Sequence, residues 1–170
     1  MAERAVLGLG SNVGRREAQL HDAVARLKRV AGIRVSAVSA IYESPPVEIS
    51  IKQGDFLNQV VVVMTGLEAR ELLSACQAIE DSMGRPRQHP WGAPRTIDID
   101  LITWGDRVMQ EPALVLPHPR YTRRGFVLLP LAEVLPDFRD PSTGQSVRQL
   151  LDKCQNTADV RIWGALTEAQ

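Results

Sequence analysis

The stretch Phe56-Leu57-Asn58-Gln59-Val60-Val61-Val62-Val63-Met64 runs directly into Thr65-Gly66-Leu67-Glu68 and then an apolar stripe at Leu72, Leu73, Cys76 and Ile79. Four successive valines are stiff at χ1 and suit a pleated, buried strand. The stripe that follows has the three-to-four spacing of one helix face. Between them, Thr65 and Glu68 stand at the spacing of a capping box, with Thr65 as N-cap and Glu68 reaching back. This predicts a strand over 56–64 and a helix running to about Met83, ended by Gly84.

Toward the N-terminus, 5–10 reads as a strand ended by Gly10-Ser11-Asn12, and 15–30 as a helix with Ala18, Ala23, Val24, Leu27 and Val30 near helical spacing. Residues 33–42 read as a second strand, stopped by Ser44-Pro45-Pro46 because proline donates no ladder hydrogen bond and restricts its predecessor. Residues 47–55 and 85–94 read as loops, 96–104 as a fourth strand and 107–109 as a short return. Leu116-Pro117-His118-Pro119 is a rigid extended segment. A helix over 123–135 interrupted by Pro130, a turn at 140–144, a helix over 147–153 and an edge strand at 160–163 complete the chain. The order strand, helix, strand, strand, helix, strand predicts an α+β fold of the ferredoxin-like, split βαβ kind. Its antiparallel sheet carries helices on one face, and the C-terminal third is an extension on the same core. One domain over 1–170 is expected.

Composition excludes several classes. A 44% hydrophobic and 24% charged chain is an ordinary globular one. Net charge is zero, so no global basic field draws it onto nucleic acid. No apolar run approaches the ~20 residues of a membrane span, and a strand opening at Ala5 leaves no room for a signal peptide. Cys76 and Cys154 have no metal-like spacing, and Cys76 on an apolar stripe reads as a buried, reduced thiol. A cytoplasmic monomer without membrane or nucleic-acid partners is expected.

Arg95-Thr96-Ile97-Asp98-Ile99-Asp100-Leu101-Ile102 carries the chemistry. On a strand, Asp98 and Asp100 point to one face, about 6.6 Å apart at ~3.3 Å rise per residue, while the isoleucines and Leu101 point to the other. Two carboxylates so placed can flank hard cations such as Mg²⁺. The alternative is two solvated acids, or partners for nearby arginines, but aspartate is poor in strands and a ligand role would explain its presence twice. No acidic residue occurs from Gly84 to Ile97, which holds Arg85, Arg87, His89 and Arg95. A second acid-free window, Pro112 to Ala132, holds His118, Arg120, Arg123 and Arg124. Arginine outnumbers lysine 17 to 3, in keeping with codon bias or with bidentate phosphate recognition. Phe56, Trp91 and Phe126, with Asn58, could form a slot for a planar heterocycle. Gly8-Leu9-Gly10-Ser11-Asn12-Val13-Gly14 is no dinucleotide fingerprint, because its third glycine comes one residue late. Its glycines read as shaping a strand-to-helix turn.

In this order Gly10-Ser11-Asn12, Tyr42-Glu43-Ser44-Pro45-Pro46, Asp55-Phe56-Leu57-Asn58, Gln77-Ala78-Ile79-Glu80, Gly84-Arg85-Pro86-Arg87, Pro94-Arg95-Thr96-Ile97-Asp98-Ile99-Asp100, Leu116-Pro117-His118-Pro119 and Arg124-Gly125-Phe126 resemble the 6-hydroxymethyl-7,8-dihydropterin pyrophosphokinases of folate biosynthesis. The resemblance implies a ferredoxin-like fold and transfer of the β,γ-pyrophosphoryl group of ATP to the pterin hydroxymethyl, leaving AMP. It implies that Asp98 and Asp100 hold two Mg²⁺ ions and that Arg85 and Arg95 assist transfer. Gln77, Arg87, His118 and Arg124 would hold ATP. Phe56, Phe126, Asn58, Trp91, Ser44, Pro45, Pro46 and Val47 would hold the pterin. Separately, the need to exclude water during transfer suggests that the loops 85–94 and 47–55 close over the site. Trp91 stands one residue earlier relative to Arg95 than the family pattern has it. Two readings from other classes are a non-catalytic ferredoxin-like module that binds a nucleotide or small metabolite, and an RNA-binding domain. The latter conflicts with zero net charge and with strands that lack an aromatic pair for base stacking.

Overall fold

A computed structural model of the chain describes residues 2–47, 51–84 and 93–163. The elements are β1 (Glu3–Ser11), α1 (Arg16–Lys28), β2 (Ile33–Val38), β3 (Tyr42–Ser44), β4 (Phe56–Thr65), α2 (Ala69–Ser82), β5 (Asp98–Trp104), β6 (Met109–Glu111), β7 (Leu114–Leu116), α3 (Gly125–Val134), α4 (Val147–Lys153) and β8 (Arg161–Ile162). Single 3₁₀ turns occur at Tyr121–Arg123 and Thr157–Asp159. The sheet is antiparallel in the order β5-β1-β4-β3-β8, and β2 shares the outer edge of β4 with β3. This is the ferredoxin-like order expected from the element sequence.

Three local expectations are corrected. The strand read over 33–42 is broken into β2 and β3 at Ser39. Ser39 N donates to Val60 O (2.9 Å), its Oγ accepts from Val60 N (2.9 Å) and its carbonyl accepts from Gln59 Nε2 (2.8 Å), so the break loses no partners on β4. The capping box lies three residues later than Thr65: Glu68 is the N-cap of α2, and its N–H donates to Glu71 Oε1 at 2.9 Å. Thr65 ends β4 instead, donating to Gly32 O at 2.6 Å and accepting from Leu67 N at 3.0 Å. Pro130 lies inside α3 without ending it. The return read at 107–109 is the hairpin β6–β7, and the edge strand read at 160–163 pairs with β3 as β8.

The C-terminal third does not extend the first core; it builds a second one. Strand alternation sends Ala5, Leu7, Leu9, Leu57, Val61, Val63, Ile99 and Leu101 to the face covered by α1 and α2, with Leu20, Leu27, Leu72 and Cys76. The opposite face carries Val6, Val60 and Ile102, which pack against Tyr121, Val127, Leu128, Leu131, Phe138, Val147 and Leu150 from the C-terminal segments. Tyr121 donates its hydroxyl to the buried carboxylate of Asp140, tying the turn before α3 to the loop before α4.

Candidate active site

On that second face, the positions beside Val6, Val60 and Ile102 are not apolar. Register places Gly10 between Asp98 of β5 and Asn58 of β4, and Gly8 between Asp100 and Val60. With no side chain at 8 or 10, the backbone of β1 becomes the floor of a cavity of about 280 Å³. A Cβ built at Gly10 would point at Phe56 Cδ1 (3.6 Å) and Asn58 Oδ1 (3.7 Å). The expectation that these glycines shape a turn is therefore corrected: both lie within β1, and Gly14, at φ +75°, makes the turn into α1.

A second cavity, of about 550 Å³, lies against α2 and is walled by Leu73, Gln77 and Glu80 on one side and by 112–115 on the other. Asp98, Asp100, His118 and Pro119 line both cavities. The carboxylates thus stand on the partition between two ligand-sized spaces.

Each carboxylate faces a guanidinium. Arg95 Nη1 lies 3.2 Å from Asp98 Oδ2, and Arg124 Nη1 lies 3.8 Å from Asp100 Oδ2. Both guanidiniums also lie over aromatic rings, Arg95 over Phe56 (5.6 Å) and Arg124 over Phe126 (5.5 Å). The carboxyl of Asp100 is pushed up to about 7. Burial is the main cause, the charges of Asp98 and Glu80 add to it, and Arg124 and Arg95 oppose it. The two guanidiniums do not offset the burial and mutual repulsion of the carboxylates at Asp100, and a hard divalent cation would. Among the described residues no third His, Cys, Asp or Glu joins them in a metal cluster. Mg²⁺ fits such a pair, since it takes one or two carboxylates and completes its shell with water and ligand phosphates.

The remaining side chains are held in defined orientations. Asn58 is buried and spends both amide hydrogens, on Tyr42 O (3.2 Å) and Ser44 Oγ (2.8 Å), so it presents Oδ1 toward the cavity as an acceptor. Ser44, Pro45 and Val47 line the rim, and Pro46 does not line this cavity. His118 accepts from Arg120 N at Nδ1 (3.1 Å), which places the proton of the neutral ring on Nε2. Gln77 lines only the second cavity. Arg85, Arg87 and Trp91, named from the sequence, and most of the loop 85–94 lie outside the described residues.

Several site residues escaped the sequence reading. Gly8 and Gly10 are the floor. Arg120 and Pro119, read from the sequence only as part of a basic segment and given no role, line the first cavity. Asn12 accepts from Arg95 N at Oδ1 (2.9 Å) and donates its own N–H to Arg95 O (3.1 Å). Its amide also donates to Gln53 Oε1 (2.6 Å) and Gly54 O (3.1 Å), so it ties the end of β1 to both flanking segments. The signal for it was Gly10-Ser11-Asn12 itself, a polar pair at a strand end that the turn reading absorbed.

Comparison with known proteins shows the family and the fold. Residues 6–136 match the family of 7,8-dihydro-6-hydroxymethylpterin-pyrophosphokinase (HPPK). The chain is 43% identical over 163 residues to the 2-amino-4-hydroxy-6-hydroxymethyldihydropteridine pyrophosphokinase of Synechocystis, covering 94% of this chain and 78% of that protein. It is 40% identical over 159 residues to the Bacillus subtilis protein of the same name, covering 94% and 89%. Among solved structures, wild-type Plasmodium falciparum HPPK-DHPS with pteroate superposes with a TM-score of 0.71 at 17% identity, over 90% of this chain. An HPPK-DHPS in complex with substrates superposes with a TM-score of 0.68 at 15% identity, over 89% of this chain. At that identity the likeness is one of fold. The chain spans 42% and 43% of those two longer chains.

Proposed function

The chain belongs to the 7,8-dihydro-6-hydroxymethylpterin-pyrophosphokinase family, and we propose that its cleft works as two half-sites that meet at Asp98 and Asp100. The enzyme transfers the pyrophosphoryl group of ATP to the hydroxymethyl group of 6-hydroxymethyl-7,8-dihydropterin in folate biosynthesis. The observation that carries the two-half-site reading is the shared wall: both cavities end on the same two carboxylates.

The smaller cavity takes the pterin. Phe56 and Phe126 supply aromatic faces for a planar ring, Asn58 Oδ1 accepts a hydrogen bond from its edge, and Ser44, Pro45 and Val47 close the rim. The larger cavity takes ATP, with Gln77 on its wall and His118 along the phosphates, while Arg124, on the wall of the smaller cavity beside Asp100, meets them at the shared carboxylates. His118 acts as a donor through Nε2–H, its other nitrogen being held by Arg120 N. By resemblance to the family, Arg85 and Arg87 join the nucleotide side and Trp91 the pterin side.

In the reaction the pterin hydroxyl oxygen bonds to the β-phosphorus while the bond from that phosphorus to the AMP oxygen breaks, and the hydroxyl proton is lost. Such a loose transfer asks for positioning and charge rather than covalent chemistry from the protein. Arg95 and Arg124, already beside the carboxylates, are the charges that can meet the phosphate oxygens. Mg²⁺ on Asp98 and Asp100, two ions by resemblance, would align the triphosphate and neutralise its charge. The same reading expects a cytoplasmic monomer without a nucleic-acid partner. Both cysteines are free, and among the described residues no helix is long and apolar enough to cross a membrane.

The test is incubation with ATP, Mg²⁺ and the reduced hydroxymethylpterin, resolving nucleotide products by chromatography. AMP and pterin diphosphate in equal amounts are expected, and none with excess EDTA. ADP in place of AMP would overturn the assignment.

A further inference from the structure

The segment around Arg124 is held from outside the family-matched region. Residues 6–136 carry the family match, yet the peptide groups on either side of Arg124 are both bound by Asn156. Asn156 Nδ2 donates to Arg123 O at 2.9 Å, and Asn156 Oδ1 accepts from Gly125 N at 2.7 Å. The carboxamide thus spans the last carbonyl of the 3₁₀ turn and the first N–H of α3, like an inserted peptide unit. The side chain of Arg124, the N-cap residue, makes no cap hydrogen bond of its own and lies toward Asp100, so the cap is supplied across space. Gly125 N–H can only donate and Arg123 O only accept, which fixes which end of the amide is oxygen, and Cys154 Sγ donates to the same Oδ1 at 3.3 Å. The fit is close: a Cβ at Gly125 would lie 2.9 Å from Asn156 Oδ1 and 3.0 Å from Thr157 Cα. Glycine is required at 125 by that approach.

Arg124 and Phe126 flank Gly125, and both line the smaller cavity. Fixing the two peptides around Arg124 fixes the extended backbone at that residue (φ −115°, ψ 100°) and with it the directions in which both side chains leave the chain. We propose that Asn156 is a positioning residue of the active site, acting through the Arg123–Arg124–Gly125 backbone to aim Arg124 at the phosphates and Phe126 at the pterin. This rests on the roles given above to Arg124 and Phe126.

The test uses calorimetric binding of Mg²⁺ with a non-hydrolysable ATP analogue, and of the pterin, for the full chain well below each variant's melting midpoint. A purely structural loss then appears in the melting temperature and not in binding. Asn156→Ala should weaken both ligands about tenfold, the scale of one or two lost hydrogen bonds. Asn156→Asp separates the roles, because a carboxylate still accepts from Gly125 N–H at a helix N-terminus but cannot donate to Arg123 O. The gain at the helix N-terminus is set against the lost bond and the repulsion at Arg123 O, so Asn156→Asp should melt between Asn156→Ala and wild type and still bind about threefold or more weakly. In an Arg124→Ala background, Asn156→Ala should weaken the nucleotide analogue less than twofold further. Wild-type affinities in Asn156→Asp, or full additivity with Arg124→Ala, would overturn the proposal. If Arg124→Ala alone left nucleotide affinity unchanged, the role of Arg124 would fall and take this one with it. If Arg124→Ala weakened binding while both Asn156 variants did not, only the positioning role would fall.

Discussion

Asp100→Asn should stabilise the metal-free protein while abolishing its turnover. The carboxyl is raised from 3.8 in the unfolded reference to about 7, chiefly by burial and then by the charge of Asp98. Between these values the native state holds a proton that the unfolded chain has released, so stability falls as pH climbs through the window. Three pH units correspond to at most roughly 4 kcal/mol. Solvent reaches 33% of the Asp100 side chain, and that screening brings the realised penalty to on the order of 1–2 kcal/mol. Asparagine keeps the shape and removes the charge, so the gain should be absent near pH 4 and complete above about pH 7. Urea unfolding in EDTA at the two pH values measures it. With a slope of about 2 kcal/mol per molar, the midpoint should rise by roughly 0.5–1 M at pH 8 only. A midpoint that falls at pH 8, or rises equally at pH 4, would refute the reasoning. Turnover should be lost under all conditions, since the carboxylate that destabilises the free protein is the one proposed above to hold the cation.

Arg95→Ala should lower kcat by about 10³-fold or more, with pterin affinity changed far less; steady-state kinetics with calorimetry would separate the two. Gly10→Ala should fold with unchanged stability, because its Cβ meets nothing closer than 3.6 Å, yet raise the KM for pterin, and Gly10→Val should raise it further. Tyr121→Phe removes the buried hydroxyl donated to Asp140 and should cost about 1–2 kcal/mol of stability in urea titration while kcat holds, since the ring stays in the second core and touches no ligand space on the pterin side.

The βαββαβ core was legible because each element's pattern agrees with its neighbours: the Val60–Val63 run, the stripe of Leu72, Cys76 and Ile79, and the alternation at 97–101 each name one period. The placement of Asp98 and Asp100 together on the cavity wall was legible because alternate residues of a strand share a face. What escaped was set by contacts distant in sequence. Ser39 breaks a strand by taking a partner on β4, 21 residues away. Thr65 gives up its cap to Gly32, 33 residues back. Gly8 and Gly10 read as a turn because a missing side chain has no local signature of being a floor; only the register with Asn58 and Asp98 gives them that role.

The second face of the sheet explains why the C-terminal third lines the cleft. With a side-chain period of two, β1, β4 and β5 bring to one surface both an apolar set, Val6, Val60 and Ile102, and an adjoining polar set, Asn58, Asp98 and Asp100 around Gly8 and Gly10. The apolar set must be covered and the polar set must stay open to ligands. Helix α3 meets both demands: Val127, Leu128 and Leu131 cover the first, and its N-terminus brings Arg124 and Phe126 to the edge of the second. The place where α3 begins, held by Asn156 against Gly125, therefore marks the boundary between core and site.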